Sequence, residues 1–311
     1  MAKKHKNKWV NLGGPNPIGW CAYHKSTITL QQMRTKRCLQ KGCHALQPNR
    51  KDERWIQIER EILIKKLIRR RSKKLGRRLT DSEVRQVKKS IRGYKGVTMV
   101  EYLKIETPFV RAEDGTKKLI EGQFRNETVE YLKDNQWEWT EKVDGTNISV
   151  VWDGYKVQIH GRTERAQIPS HLFNKLSEMF LGDVNEELFE QTFGENTVIL
   201  YGEGYGSKIQ SNGYIENGVS FILFDVYFPN KNIWLKREAV EDIAQKFNVD
   251  IVPIILTGTI DEAVAFVKQK PVSVVSEYLK VMEGLVGRPK VEVLDRNGKR
   301  IILKVKVKDF D

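Results

Sequence analysis

The chain has 311 residues, 40% of them hydrophobic, and a formal net charge of +14. It is long enough for one or two hydrophobic cores, and it has no run of about 18 apolar residues, which argues against a membrane-spanning helix. The lysine-rich start has no apolar segment behind it, and three cysteines are too few for a disulfide framework. We therefore expect no secretory signal, no membrane partner and a reducing, cytoplasmic setting.

The positive charge is concentrated in the first third of the chain. Residues 1–95 contain 27 Lys and Arg against 6 Asp and Glu, whereas residues 96–311 contain 27 against 34. A polyanion such as nucleic acid is the natural partner of this basic third, although a solvated basic tail has the same composition. The sequence thus predicts a basic, nucleic-acid-binding unit over 1–95 and a different unit over 96–311.

A compact segment at residues 20–44 contains all the cysteines. Cys21 and His24 form one potential ligand pair, and Cys38 and Cys43 form a second. Four such ligands suit tetrahedral Zn²⁺, which would supply folding energy to a segment with little apolar content. The alternative is three reduced thiols and an ordinary histidine.

Two basic helices are predicted to follow. Isoleucine and leucine recur at near-helical spacing over residues 52–74, and Gly76 ends this helix. A capping box, Thr80 with Glu83, then starts a second helix, which Gly93 ends. Together they predict a basic helical hairpin.

From residue 97 onward the pattern changes to short strands with helices between them. Strands are predicted at 137–140, 148–152, 156–160, 198–201, 221–227 and 301–307. Helices are predicted near 170–180, 184–191, 237–247 and 260–268. The predicted fold class is α+β, with mostly antiparallel sheets and inserted helices.

The stretch from Glu141 to Asn147 contains a candidate nucleophile, Lys142. A lysine amine attacks phosphorus only after it loses its proton, which desolvation or nearby cations favour. Lys142 follows a predicted strand and precedes a turn at Gly145, so its amine can face a pocket whose base is formed by the sheet. A surface lysine in a β-turn is the alternative, and four residues of pattern do not decide between them.

Three charged residues near the C-terminus support the functional interpretation. Lys304 and Lys306 are two apart on a predicted strand and so face the same way, which suits a phosphate. Lysines on an exposed edge strand are the alternative. Glu283 lies inside a hydrophobic run, where an idle carboxylate would be costly, and its oxygens suit Mg²⁺.

In order, these stretches resemble the six nucleotidyltransferase motifs of ATP-dependent polynucleotide ligases and capping enzymes, most closely the bacteriophage RNA ligase 2-like family. The motif residues are Glu141, Lys142, Asp144, Gly145, Arg162, Glu203, Phe224, Glu283, Lys304 and Lys306. The resemblance implies an ATP-grasp-like nucleotidyltransferase domain over 96–311. Upstream, the segment from Glu101 to Glu106 resembles one that leads into the ligase domain of some phage enzymes, although Lys104 and Glu106 could instead simply pair.

The resemblance also implies a role for the motif residues. Lys142 would form a lysyl-adenylate, and Lys304 and Lys306 would stabilise charge on the α-phosphate. The other implied roles are nucleotide binding around Glu141, Asp144 and Gly145, a phosphate or nucleotide contact for Arg162, a ribose contact for Glu203, adenine stacking for Phe224, and binding of Mg²⁺ or Mn²⁺ by Glu283.

The implied function is an ATP-dependent RNA ligase, as in phage RNA repair, that joins 5′-phosphate and 3′-hydroxyl ends. The alternatives are an ATP-dependent DNA ligase, a GTP-using capping enzyme, or a non-catalytic nucleic-acid-binding protein with a decayed ligase domain. Because the sequence stops soon after the last motif, we expect no C-terminal domain and expect the basic N-terminal unit to hold the nucleic acid. RNA is the expected partner, and a monomer the expected state.

Overall fold

The computed structural model divides the chain into two compact units, Met1–Gly96 and Val97–Asp311. It describes residues 17–21, 26–29, 46–48, 53–92, 94, 100–114, 118–163, 166–210 and 213–310. No helix in these ranges is long and apolar enough to cross a membrane. Of the four zinc-site candidates, His24, Cys38 and Cys43 lie outside the described residues, and Cys21 is described only as the last residue of a strand, so the zinc site stays a prediction.

The N-terminal unit contains a small antiparallel sheet and two helices. Its strands are β1 (Pro17–Cys21), β2 (Ser26–Thr29) and β3 (Leu46–Pro48), with β1 in the centre.

Both predicted helices of this unit are present. Helix α1 (Glu53–Leu75) ends just before Gly76, whose φ of 64° suits a residue without a Cβ. Helix α2 (Asp81–Ile91) begins after Thr80, and both halves of the predicted capping box form. The two helices contact each other, and Gly93 lies outside the described residues.

Two mainly antiparallel sheets form the framework of the C-terminal unit. Its strands are β4 (Phe109–Arg111), β5 (Leu119–Phe124), β6 (Trp137–Glu141), β7 (Thr146–Trp152), β8 (Val157–Gly161), β9 (Val198–Gly206), β10 (Val219–Phe228), β11 (Ile233–Trp234), β12 (Asp250–Ile251), β13 (Ile254–Gly258), β14 (Gly284–Pro289) and β15 (Leu303–Lys306). The large sheet has the order β11–β10–β9–β7–β8, with β12 parallel to β10. The small sheet has the order β13–β6–β14–β15, and β4 pairs with β5.

Five helices lie between these strands in the described part of the unit. They are α3 (Glu127–Tyr131), α4 (Ser170–Phe180), α5 (Asp183–Phe193), α6 (Arg237–Phe247) and α7 (Ile260–Lys268). The α+β class and the ten predicted elements of this unit are therefore present. The strand predicted at 301–307 is shorter, because its end turns into a single 3-10 turn at Val307–Asp309.

The sheets are held by a core on the outer face of each and by a third core between them. The outer face of the large sheet packs against α4, α5 and α6 around residues such as Trp152 and Phe221. The small sheet packs against α7 and the β4–β5 pair around Trp139. Full burial of one such aromatic side chain contributes about 2–3 kcal/mol. A third core joins Tyr201 of the large sheet to Val286 of the small sheet.

Candidate active site

The connection between β6 and β7 carries the chain from the small sheet to the large one. Lys142 is its first residue, and its backbone N–H donates to the Gly284 carbonyl at 2.9 Å. The backbone N–H of Asp144, two residues later, donates to the buried Tyr214 hydroxyl at 3.0 Å. At Gly145 a Cβ would overlap the carbonyl of Gly204 in β9, so only glycine fits this approach. These contacts hold Lys142 at the junction between the small and the large sheet.

The Lys142 amine belongs to a cluster in which two lysines bind one carboxylate and a third, Lys304, lies beside them. Its Nζ lies 2.6 Å from Glu283 Oε2, and Lys306 Nζ binds the other oxygen of the same carboxylate. The side chains of Lys142, Lys306 and Glu283 are each at most 22% exposed. Burial, with help from Lys306 and Lys142, lowers the pKa of the neighbouring Lys304. The cluster keeps a net positive charge, which suits a phosphate group.

Glu203, on β9 of the large sheet, lies below the Lys142 turn. Burial raises its pKa to about 8, and the nearby Glu283 and Asp144 act in the same direction. Lys142 and the hydrogen bond from the Gly145 N–H act in the opposite direction. At neutral pH Glu203 is therefore largely a neutral acid, which can both donate and accept a hydrogen bond.

Phe224 and Asp225 lie on the same face of the large sheet because β10 contains a β-bulge at this point. Leu223 pairs with Gly202 of β9 and Asp225 pairs with Tyr201, which leaves Phe224 as the extra residue. Leu223 faces the helix-covered core, whereas Phe224 lines the cavity beside Lys142. A half-buried aromatic ring that lines a cavity is suited to stacking on a planar ring.

Behind Phe224, a buried ionic network ties four separate parts of the chain together. Asp225 is fully buried and accepts hydrogen bonds from Tyr102, Arg288 and Arg300, each at 2.8 Å. Arg288 also donates to the Phe224 carbonyl at 3.3 Å. Burial raises the pKa of Tyr102, so its hydroxyl stays protonated and can donate to Asp225. The sequence analysis gave no role in the site to Tyr102, Arg288 or Arg300, although an arginine within the apolar strand β14 indicates a buried ion pair.

One cavity of about 510 Å³ brings these parts together. Its lining includes all ten residues predicted for the catalytic and nucleotide-binding positions, namely Glu141, Lys142, Asp144, Gly145, Arg162, Glu203, Phe224, Glu283, Lys304 and Lys306. It also includes residues to which the sequence analysis gave no role in the site, namely Tyr102, Asn147, Gln210, Arg288 and Lys308.

Two of the predicted residues differ from the others in how they meet the cavity. The carboxylate of Glu141 accepts hydrogen bonds from Ser273 Oγ and from the Val274 N–H, and its side chain is buried. That carboxylate secures the 273–274 segment, so any contact of Glu141 with a ligand would be through its backbone. Arg162 is exposed just after β8 and reaches the cavity from its open side.

The donor set of the site bears on metal binding. Within the described ranges, no group of three or more His, Cys, Asp and Glu side chains could hold a metal ion. Mg²⁺ needs no such group, because it takes one or two carboxylates and fills its remaining positions with water and substrate phosphates. The Glu283 carboxylate, in a basic cavity with room for the phosphates of a nucleotide, fits that kind of site.

Comparisons with known proteins give one family match and several distant structural matches. The model of the RNA ligase family matches residues 135–306, more than half of the chain. A ligand-free mutant of the RNA ligase of Naegleria gruberi is 19% identical, with a TM-score of 0.45 over 65% of this chain and 55% of that one. The same ligase with pyrophosphate is 22% identical, with a TM-score of 0.44 over 58% of this chain and 51% of that one. The chain thus spans about half the length of these structures, and no curated protein matches it.

Proposed function

The chain belongs to the RNA ligase family, and from that premise we propose that it is an ATP-dependent RNA ligase. It joins 5′-phosphate and 3′-hydroxyl ends through a lysyl-adenylate on Lys142 and a 5′-adenylated RNA. The observation that carries this proposal is the contact of Lys142 with Glu283, beside Lys304 and Lys306, in a cavity of nucleotide size. The Glu283 carboxylate lies within hydrogen-bond reach of the Lys142 amine, whose proton must leave before the nitrogen can attack phosphorus.

In the first step, Lys142 Nζ attacks the α-phosphorus of ATP. The N–P bond forms, the bond to the pyrophosphate oxygen breaks, and the proton leaves the amine. Glu283 Oε2, at 2.6 Å from the amine, is placed to accept that proton. Lys304 and Lys306 offset the negative charge that builds up on the phosphorus oxygens. Mg²⁺ or Mn²⁺ held by Glu283 and the phosphates would supply further charge neutralisation.

The next two steps use the same positive cluster. A 5′-phosphate oxygen of the RNA attacks the adenylate phosphorus, and Lys142 departs and recovers a proton. The 3′-hydroxyl oxygen of the second end then attacks the 5′-phosphate phosphorus, and AMP leaves. Phosphoryl transfers of this kind depend mainly on positioning and electrostatic stabilisation.

The nucleoside is held by two residues of the large sheet. Phe224 stacks on the adenine, a role that its position in the cavity supports. Glu203 hydrogen-bonds the ribose, and as a largely neutral acid it can match either a donor or an acceptor on a hydroxyl. Burial of the nucleoside between them would exclude water from the α-phosphate.

The basic N-terminal unit contributes RNA affinity in this proposal. Helix α1 exposes Lys65, Arg69, Lys73 and Lys74, and α2 exposes Lys88 and Lys89. Cations on one compact unit attract a polyanion over several ångströms and release its counterions. A cytoplasmic monomer that acts on RNA is the form we propose.

Sealing assays with defined ends test this function. We expect the full chain to convert a 5′-labelled phosphate into a phosphatase-resistant linkage with ATP and Mg²⁺, but not with GTP. RNA on the 3′-hydroxyl side of a nick should be sealed faster than DNA. Sealing of DNA ends alone would favour the DNA ligase alternative, and RNA binding without any sealing would favour the decayed ligase domain.

A further inference from the structure

A second cavity, of about 500 Å³, lies next to the active-site cavity. Ile105 and Lys304 line both of them, so the two are neighbours along β15. The second cavity is also lined by Lys104, Arg111 and Arg125, with Glu106 as the acid among its lining residues. We call this second cavity the basic cleft.

The charges of the basic cleft are only partly neutralised. Arg125 pairs with Glu106 at 2.7 Å, whereas Lys104 lies 3.9 Å from the same carboxylate and its side chain is 75% exposed. Arg111 is held by Asp309 through two hydrogen bonds of 2.9 and 3.1 Å. After these pairings, Lys304 and the exposed Lys104 leave the cleft positive.

The wall between the two cavities is a single extended stretch of chain. Tyr102 and Leu103 line the active-site cavity, whereas Lys104 and Glu106 line the basic cleft. The Lys304 N–H donates to the Glu106 carbonyl at 2.8 Å, which fastens this stretch beside β15. A chain of phosphates that leaves the active site past Lys304 would therefore meet Lys104 next.

We propose that the basic cleft binds backbone phosphates of the RNA strand whose end lies in the active site. This inference rests on the proposed function and assigns part of its substrate path. The other source of the same chemistry is the β- and γ-phosphates of ATP. The openness of the cleft favours RNA, because the exposed Lys104 and Arg125 suit a strand that continues into solvent rather than a short tail that must be released.

The test removes the two exposed cations together, as Lys104→Ala with Arg125→Gln. The control variant, Lys175→Ala with Lys246→Gln, removes two exposed cations from α4 and α6, outside both cavities. Both are compared with wild type for adenylylation by ATP and for sealing of pre-adenylated RNA, which bypasses ATP.

We expect the cleft variant to keep its KM for ATP and to raise its KM for pre-adenylated RNA by about tenfold. The slope of log KM for RNA against log salt concentration should decrease by about 1.4, because each of the two lost phosphate contacts on a single strand contributes about 0.7 to this slope. The control variant should match wild type in both assays. If the cleft variant loses adenylylation altogether, Lys104→Ala alone repeats the test at the more exposed position.

Two results would overturn the assignment. One is a raised KM for ATP with unchanged sealing of pre-adenylated RNA, which would mean that the cleft binds the phosphates of ATP. The other is no change in either assay. Failure of the proposed function is a separate result, in which wild type itself forms no adduct and seals nothing. In that case, fluorescence anisotropy with a 5′-phosphorylated RNA measures the RNA affinity of wild type and cleft variant directly. Equal affinity and equal salt dependence of the two proteins would show that the basic cleft does not bind RNA.

Discussion

The substitution Glu203→Gln should make the protein more stable relative to wild type as the pH becomes alkaline, although it removes a carboxyl group from the site. Folding raises the pKa of Glu203 from 4.5 to about 8, mainly through burial. Between these two pH values the unfolded chain has lost the proton and the folded chain retains it. The free energy of unfolding of the wild type therefore falls as pH rises through this window. Glutamine keeps the shape of the side chain and does not titrate.

The size of the effect follows from the shift. A change from 4.5 to about 8 corresponds to about 5 kcal/mol if the carboxyl were fully shielded. Glu203 retains some exposure to the cavity, and water there reduces the effect to ~2 kcal/mol. For a domain of this size, that equals a difference in Tm of about 4–8 °C.

Urea unfolding of the two proteins at pH 5 and pH 8.5 measures this difference. The stability of Glu203→Gln relative to wild type should be ~2 kcal/mol higher at pH 8.5 than at pH 5. All other groups titrate in both proteins and cancel. The reasoning would be refuted if the two proteins differed in stability by the same amount at both pH values. It would also be refuted if wild type became more stable relative to the variant as the pH rose.

Two further substitutions probe the framework of the site. Gly145→Ala should cost about 1–3 kcal/mol of stability and reduce adenylylation at least tenfold, because the new methyl group overlaps the Gly204 carbonyl; wild-type adenylylation would show that the turn has room. Asp225→Asn should cost about 3 kcal/mol in urea unfolding, because Arg288 and Arg300 lose their buried carboxylate. A loss below ~0.5 kcal/mol would mean that water already screens those arginines.

The parts of this fold that the sequence predicted are those governed by local rules. Lys304 and Lys306, predicted to share one face of a strand, lie half-buried on one face of β15, and Leu303 and Val305 are buried on the other. The capping box at Thr80 set the start of α2, and both of its hydrogen bonds form. Matching the sequence to the motifs residue by residue selected ten residues, and all ten line one cavity of the structure. Their catalytic roles stay predictions until a variant of each is assayed.

The parts that the sequence did not predict depend on contacts between distant segments. Regular alternation along β10 would point Asp225 toward the same core as Leu223, whereas the bulge keeps it on the opposite face, beside Phe224. Asp225 binds Tyr102 and Arg300, which lie 123 and 75 residues away in the chain. Short strands such as β12, with two residues, are below the length at which a period can be recognised.

The central claim is that Lys142 forms a covalent adenylate, and intact-protein mass tests it most directly. Wild type and Lys142→Ala are first treated with pyrophosphate to remove any bound nucleotide, and then incubated with ATP and Mg²⁺. We predict one added AMP on wild type and none on the variant. No adduct on wild type with ATP, GTP or NAD⁺, or an adduct that persists in Lys142→Ala, would contradict the account.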